Sequence, residues 1–473
     1  MENSGSDQNI IMGSSDHRCN SHVALLAFPF GTHAAPLYSL ASILASATPT
    51  STFSFFSTSN SNSKLSQIPV PPNLTRYDVS DGSLQGVDVS PITNPQQEID
   101  LFLKATPGNF RAGMEVAVRD GVGGVVEISC VVSDAFLWFA GKMAVEMRVP
   151  WIALWTGGTA SLSSHIYTDD IRRNIGVGDR VLVEQGERSL AVIPGMSGLR
   201  VRDLPEGIVF GKLNSLFSLL LHRMGREIPN ATAVALNTFQ ALDTEVLTQL
   251  NSNKLNNICF PIGPLNLITP TITQPDESNC LTWLDAQSPN SVVYIGFGTV
   301  MSPPPEELAV IAEALESTGV PFLWSLSDKL KAQLPSELLL RGGLVVPWAP
   351  QSDVLNHVST GVFLTHCGWN SMTESICGGV PMICRPLLGD QRLNAREASE
   401  KWKIGLMVEE SDGVLTKEWV SNALLWVLKS SEGRTMRERV VSMKEMAHEA
   451  VKHGGTSARS LDDLIRILTK MEF

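Results

Sequence analysis

The apolar positions of this chain come mostly as short continuous runs, the pattern of strands buried on both faces and not of half-exposed ones. Residues 22–30 (HVALLAFPF), 52–57 (TFSFFS), 125–132 (VVEISCVV), 151–155 (WIALW) and 233–237 (AVALN) each predict a strand. Helical spacing fills the intervals: a helix from Ala34 towards Ala45, then 96–103, 109–120, a stretch carrying His165, a stretch ending near Met224, and 245–250. The Ser/Asn cluster after Ser57, through Asn73, reads as a loop, and 193–217 is rich in loop residues. His33 and Asp134 fall just past the ends of two predicted strands.

At residue 251 the pattern breaks. Pro261, Pro264, Pro270 and Pro275 interrupt an Asn- and Thr-rich stretch that reads as a linker without helix. Alternation then restarts: strands at 292–295, 322–325 and 344–347, a helix at 305–317, a strand–helix–strand within 348–391, and helices at 392–402, 417–429 and 436–451. Gly454-Gly455 stops the last of these. Ser460 is the candidate N-cap of a final helix whose Leu461, Leu464, Ile465 and Leu468 share one face. The chain therefore divides into a polar tail (1–20), a first α/β unit (21–250), a linker (251–277), a second α/β unit (278–455) and a C-terminal helix (456–473). Strands alternating with helices predict two doubly wound, Rossmann-like parallel sheets, whose ligands bind beyond the carboxyl ends of the strands.

Composition narrows the function. At 473 residues, two domains are the natural division. A formal charge of -12 argues against nucleic acid or an anionic membrane as partner. The seven cysteines are odd in number and scattered without C-x-x-C spacing, which predicts buried thiols in a reducing compartment and no metal site at Cys367, Cys377 and Cys384. The leading residues lack the apolar core of a signal peptide and the arginines of a transit peptide, and no run reaches membrane-spanning length. These features predict a cytoplasmic protein without a membrane span.

The densest cluster of chemistry is 348–391, WAPQSDVLNHVSTGVFLTHCGWNSMTESICGGVPMICRPLLGDQ. Trp348 and Trp369 are suited to a flat ring or to walling a small polar site. The turn 365–371 follows an apolar run and opens a helix, so its backbone N–H groups can face an anion. Asp390-Gln391 closes the stretch with a polar pair. Ring, diphosphate and hydroxyl-rich sugar are the parts of a nucleotide sugar. Over its full length and without a gap, the stretch resembles the signature box of plant secondary-metabolite UDP-glycosyltransferases. The likeness extends over nearly all of the chain after His22. Through IPGMSGLRVRDLPEGIVFGKLNSLF, SLSSHIYTDDIR and ICRP at 383–386 it is similar to the flavonoid 3-O-glucosyltransferase branch. That resemblance implies a GT-B fold, two Rossmann-like domains facing a cleft with the C-terminal helix returning to the first. It implies inverting transfer of glucose from UDP-glucose to the 3-hydroxyl of flavonols or anthocyanidins by a monomer, with no cofactor and no metal.

Such a transfer needs a base, a partner to orient it, and stabilisation of the departing diphosphate. Imidazole titrates in the range that suits proton abstraction at neutral pH, which makes His33 the candidate base. A histidine after a strand is otherwise structural or exposed, but FPFGTHAAPL resembles the segment holding the family's catalytic His, and SDAFLWFA matches the one holding its Asp, here Asp134. By itself Asp134 reads equally as the N-cap of a following helix. His366 and the amides around Trp369, Asn370 and Ser371 would receive the diphosphate. Glu374 shares a helical face with Asn370 and Ser371, placing it for ribose hydroxyls or, alternatively, for plain helix N-terminal electrostatics. Thr299, in GFGT after a strand, is a second phosphate candidate, with Gly296 where the family often has Ser.

Trp348 is core packing or, as WAPQ implies by resemblance, the uracil platform, with the Ala349 backbone and Gln351 beside it. Resemblance also implies sugar contacts from Asp390 and Gln391, the closing Gln being associated with glucose over galactose, and a donor contact from Thr156. Gly31, Gln96, Phe136, His165, Phe210 and Leu388 match acceptor-pocket positions. Leu387-Leu388 replaces the usual Phe-Phe, turning an aromatic wall aliphatic, a change worth about 0.5–1.5 kcal/mol of stacking. Two other classes compete. A dehydrogenase lacks support because no G-x-G-x-x-G is present. A non-catalytic UDP-sugar-binding protein would keep the signature stretch and lose the His/Asp pair, and this chain keeps both.

Overall fold

Each buried run becomes a parallel strand that hands the chain to a helix crossing back over the sheet. The computed structural model describes residues 21–65, 68–83, 95–120, 126–256, 258–269, 276–334, 342–408 and 415–469. In the first half, β1 (His22–Leu26), β2 (Thr52–Ser57), β3 (Leu74–Asp78), β4 (Cys130–Asp134), β5 (Trp151–Trp155), β6 (Ala233–Leu236) and β7 (Cys259–Pro261) form a sheet in the order β3-β2-β1-β4-β5-β6-β7. In the second, β8 (Val292–Gly296), β9 (Phe322–Ser325), β10 (Gly343–Val346), β11 (Thr360–Thr365), β12 (Met382–Cys384) and β13 (Gly405–Met407) run β10-β9-β8-β11-β12-β13. Every described strand pairing within these sheets is parallel.

Both faces of each sheet are buried, and the period of two shows which residue serves which face. Ala24 and Leu26 of β1 join one core cluster with Val131, Ala153 and Val234, while Val23 and Leu25 join another with Val132, Ile152 and Leu154. In the second half, Val292 and Tyr294 face one cluster and Val293 and Ile295 the other. Each sheet has one switch point where the chain reverses its direction of travel, between β1 and β4 and between β8 and β11. Crevices at the carboxyl ends there are where ligands bind in such sheets. The architecture is the paired doubly wound arrangement that the sequence implies.

Several local readings change. The strand expected at 125–132 runs instead from Cys130 to Asp134, which makes Asp134 the last strand residue. The expected loop before Asn73 contains a helix, Ser59–Lys64, capped by the Thr58 hydroxyl. β3 follows it; only Leu74 of β3 is buried, so the strand offered no apolar run to read. The stretch 251–277 is not a helix-free linker. It holds one π-helical turn (Asn251–Leu255), the strand β7 paired to β6, and a short helix (Leu265–Ile268). Sheet pairing overrides its Pro/Asn composition, and Pro261 is tolerated because β7 is an edge strand. Residues 270–275 of that stretch and the expected tail 1–20 lie outside the described residues.

The expected helix 392–402 is a short α-helix, Gln391–Arg396, continued by a π-helical turn, Glu397–Lys401. The expected helix at 436 begins earlier, at Ser431, with Ser430 capping Gly433 N–H at 2.9 Å. The final helix begins at Thr456, so Ser460 lies inside it and is not its cap. Leu464 and Leu468 of that helix are buried in the core of the first sheet beside Val23, Leu25 and Leu40. The C-terminal helix thus returns to the first half.

Candidate active site

The carboxyl ends of the two sheets meet. A Cβ at Gly31, just past β1, would lie 3.7 Å from Val300 Cγ2 past β8, and one at Gly157, past β5, would lie 3.2 Å from Asp390 Oδ2 past β12. The Trp369 indole donates to the carbonyl of Asn237 at 2.7 Å, tying β11's loop to β6's.

On the first-half side of this junction, His33 immediately precedes helix Ala34–Ala47 and its Nδ1 lies 2.8 Å from Asp134 Oδ2. The two strands that position them, β1 and β4, flank the switch point. A carboxylate only accepts, so this bond puts the proton on Nδ1 and the free lone pair on Nε2. The other Asp134 oxygen accepts the Phe136 N–H at 2.8 Å, which fixes the carboxylate's rotation. The helix-cap alternative for Asp134 fails, because the next helix does not start until Ala140. Asp134 is buried and His33 is one-fifth exposed, so the pair has a supported inner end and an accessible outer one. Thr156 Oγ1 lies 3.2 Å from the same Nδ1 and steadies the imidazole. Phe136 lies against the His33 ring, centroids 4.3 Å apart, backed by Phe28 and Phe217.

On the second-half side, helix Trp369–Gly378 opens at Gly368, which has no side chain to cover the first-turn amides. His366 sits between two glycines. A Cβ at Gly298 would come within 2.8 Å of its Nε2 and one at Gly368 within 2.5 Å. Gly298 has φ +72°, a left-handed conformation that L side chains rarely adopt. Burial pushes His366 down to about 4, against a smaller raising influence from the Gly296 carbonyl, and its Nδ1 is buried without a hydrogen-bond partner. Burial thus disfavours the imidazolium, which leaves the amides of the helix terminus as the fixed positive end for an anion.

Beside this turn lies a polar chain. Gln351 donates to Ser371 Oγ at 2.9 Å and to Glu374, and accepts from the Tyr294 hydroxyl at 3.2 Å. Ser352 donates to the other Glu374 oxygen at 2.9 Å. Burial raises the Glu374 carboxyl, opposed by the bonds from Gln351 and Ser352. Asn370 occupies the first turn of the same helix. Trp348 is 47% exposed after β10, so it is not core, while Ala349 beside it is buried. Thr299 is exposed in the loop after β8.

Two donor-side expectations need revision. The Trp369 side chain joins the two halves and does not wall a polar site, leaving only its backbone to the helix terminus. The Gln391 carbonyl accepts the N–H groups of Leu387 and Leu388 at 2.8 and 3.0 Å, so only its amide nitrogen remains for a ligand.

Of the expected acceptor residues, the structure brings Gly31 and Phe136 to His33. His165 stands one ring further back, edge-on to Trp155 at 5.9 Å; it is fully buried, and burial lowers it to about 4. Phe210 is buried in the same core, Leu388 is exposed, and the Gln96 side chain lies outside the described atoms. Sequence reasoning missed Phe217, Tyr294, Ser352 and Asn394. Only Asn394, four residues beyond Asp390 and so on the same helical face, carried a usable signal.

The family model described as UDP-glucoronosyl and UDP-glucosyl transferase matches residues 46–450. The chain belongs to this family. Among UDP-sugar transferases it is 48% identical over 460 residues to flavonol 3-O-glucosyltransferase of Arabidopsis thaliana, covering 95% of this chain and 98% of that one. It is 48% identical over 457 residues to anthocyanidin 3-O-glucosyltransferase UFGT of Vitis vinifera, with the same coverage. A crystal structure of UDP-glucose: anthocyanidin 3-O-glucosyltransferase in complex with UDP matches with a TM-score of 0.88 at 37% identity, over 96% of this chain and 99% of that one. For a UDP-sugar transferase, the two sides of the junction fall into complementary roles: an oriented imidazole on one, and uncovered helix amides with a polar chain on the other.

Proposed function

We propose that this chain transfers glucose from UDP-glucose to a flavonoid hydroxyl, the 3-OH of flavonols and anthocyanidins, with inversion to the β-glucoside. The observation that carries the reading is the His33–Asp134 pair at 2.8 Å, set across the junction from the helix that opens at Trp369. His33 Nε2 takes the proton from the acceptor hydroxyl while Asp134 stabilises the imidazolium. The acceptor oxygen then forms its bond to the anomeric carbon from the face opposite the diphosphate. The bond from that carbon to the diphosphate oxygen breaks, and UDP leaves with the electron pair. Thr299, His366 and the amides of Trp369, Asn370 and Ser371 receive the charge that develops on the diphosphate, so no metal or cofactor is called on.

Trp348, Ala349 and Gln351 hold the uracil, Glu374 the ribose, and Asp390 with the Gln391 amide the sugar. Gly31, Phe136 and Leu388 line the acceptor, with Gln96, His165 and Phe210 around them. Thr156 contacts the sugar or phosphate from the first half and steadies His33. No described helix is long and apolar enough to cross a membrane. The buried free thiols support a reducing, cytoplasmic place of work, where we take the chain to act as a monomer. The test is incubation with UDP-glucose or UDP-galactose and a panel of flavonols, anthocyanidins and other phenols, locating the sugar by mass spectrometry and NMR. A 3-O-β-glucoside made from UDP-glucose is expected; sugar found only on a non-flavonoid alcohol would overturn the acceptor.

A further inference from the structure

We propose that Asn394 is a positioning residue that locks the diphosphate end and the sugar end of the donor site to each other. This deepens the UDP-glucose reading and rests on it. Asn394 is fully buried on helix Gln391–Arg396. Its Nδ2 donates to the carbonyl of Cys367 at 3.0 Å. A carbonyl only accepts, so this contact fixes which way the amide points. Cys367 has φ +65°, a strained conformation for a residue with a Cβ, and it immediately precedes Gly368, the cap of the helix whose amides face the diphosphate. The bond from Asn394 holds the Cys367 peptide in that turn.

Asn394 lies one helical turn after Asp390, the cap of its helix, and its backbone N–H closes on the Asp390 carbonyl at 3.0 Å. Asp390 in turn lies against Gly157, beside the loop whose Thr156 touches His33. A side chain on the helix that Asp390 opens thus holds the turn that leads into Gly368. Oδ1 is left buried without a partner, facing Gly158, whose Cβ would lie 3.2 Å away. A residue kept for packing alone would not strand a buried carbonyl oxygen there.

The test is calorimetric titration of UDP-glucose and UDP into the full chain and into the variants N394A and N394D, each checked for cooperative unfolding. Both variants are expected to bind UDP-glucose about tenfold more weakly, the scale of leaving one buried carbonyl unpaired. N394D, nearly the same shape, carries a second signature. Its carboxylate would oppose both the Cys367 carbonyl and the Asp390 carboxylate, and its protonated form regains one donor. Its deficit relative to the unmodified chain therefore shrinks as pH falls from about 8.5 to about 5.5. Folded variants that bind both ligands normally, or an N394D deficit independent of pH, would overturn the role. Failure of the unmodified chain to bind UDP-glucose at all would instead sink the functional proposal.

Discussion

At the scale of single residues, the site depends on which atoms are already engaged. Asp134 spends one oxygen on Phe136 N–H and the other on His33, so replacing it by Asn changes the partner and the tautomer without changing the shape. Asp134→Asn is expected to lower kcat by about 10²–10⁴-fold, and His33→Ala to abolish flavonol glucosylation while UDP affinity stays within about twofold. Comparing steady-state rates with UDP titrations decides this, and an active His33→Ala variant would remove His33 from the mechanism. Both residues were legible from the sequence because each falls at the end of an apolar run and in a segment of recognisable pattern. The engagement of Gln391 and Trp369 was not. Side-chain direction depends on what lies across the junction, and neighbours in sequence do not report it.

At the scale of elements, two loops and one helix terminus make the anion site. The turn after β8 approaches His366 so closely that a side chain at Gly298 has no room, and its positive φ disfavours one in any case. Gly298→Ala is expected to cost about 1–2 kcal/mol in backbone strain and to displace the imidazole. UDP affinity should fall roughly tenfold while the far-ultraviolet circular dichroism stays unchanged; a variant binding UDP as tightly as the unmodified chain would show that the loop adapts. Element type was readable wherever the apolar run was long, as in β1, β5 and β8. It failed for β3 and β7, whose few buried residues gain stability only by pairing with a neighbour already in place.

At the scale of the whole molecule, the two halves are joined by buried charge as well as by Trp369. Arg396 reaches Asp203 of the first half at 3.4 Å, both buried. Lys401 bridges Asp243 of the first half and Glu397 of the second, the latter at 3.0 Å. One cation serves two carboxylates there, and burial together with the Asp243 charge raises Glu397 to about 8. A raised acid binds its proton more tightly in the folded state than in the unfolded one, so its contribution is lost as pH rises through about 8. The buried His165 and His366 are lowered to about 4 and act on the other side, favouring unfolding as pH falls below their unfolded range. Above about pH 7.5 these two histidines are silent, so Glu397→Gln should flatten the decline in stability between there and about pH 8. Denaturant melts at each pH check this, and an unchanged slope would show that another group carries it. The sequence by itself determined the two α/β halves, the strand ends that bear His33 and Asp134, and the donor stretch from Trp348 to Gln391, because local periodicity and compact motifs are written in neighbouring residues. Only the tertiary structure decided that β7 belongs to the first sheet, that Trp369 and Lys401 join the halves, and that Asn394 reaches the Cys367 carbonyl. Those outcomes depend on buried partners far apart in the chain, whose pairing energies exist only once both sheets have formed.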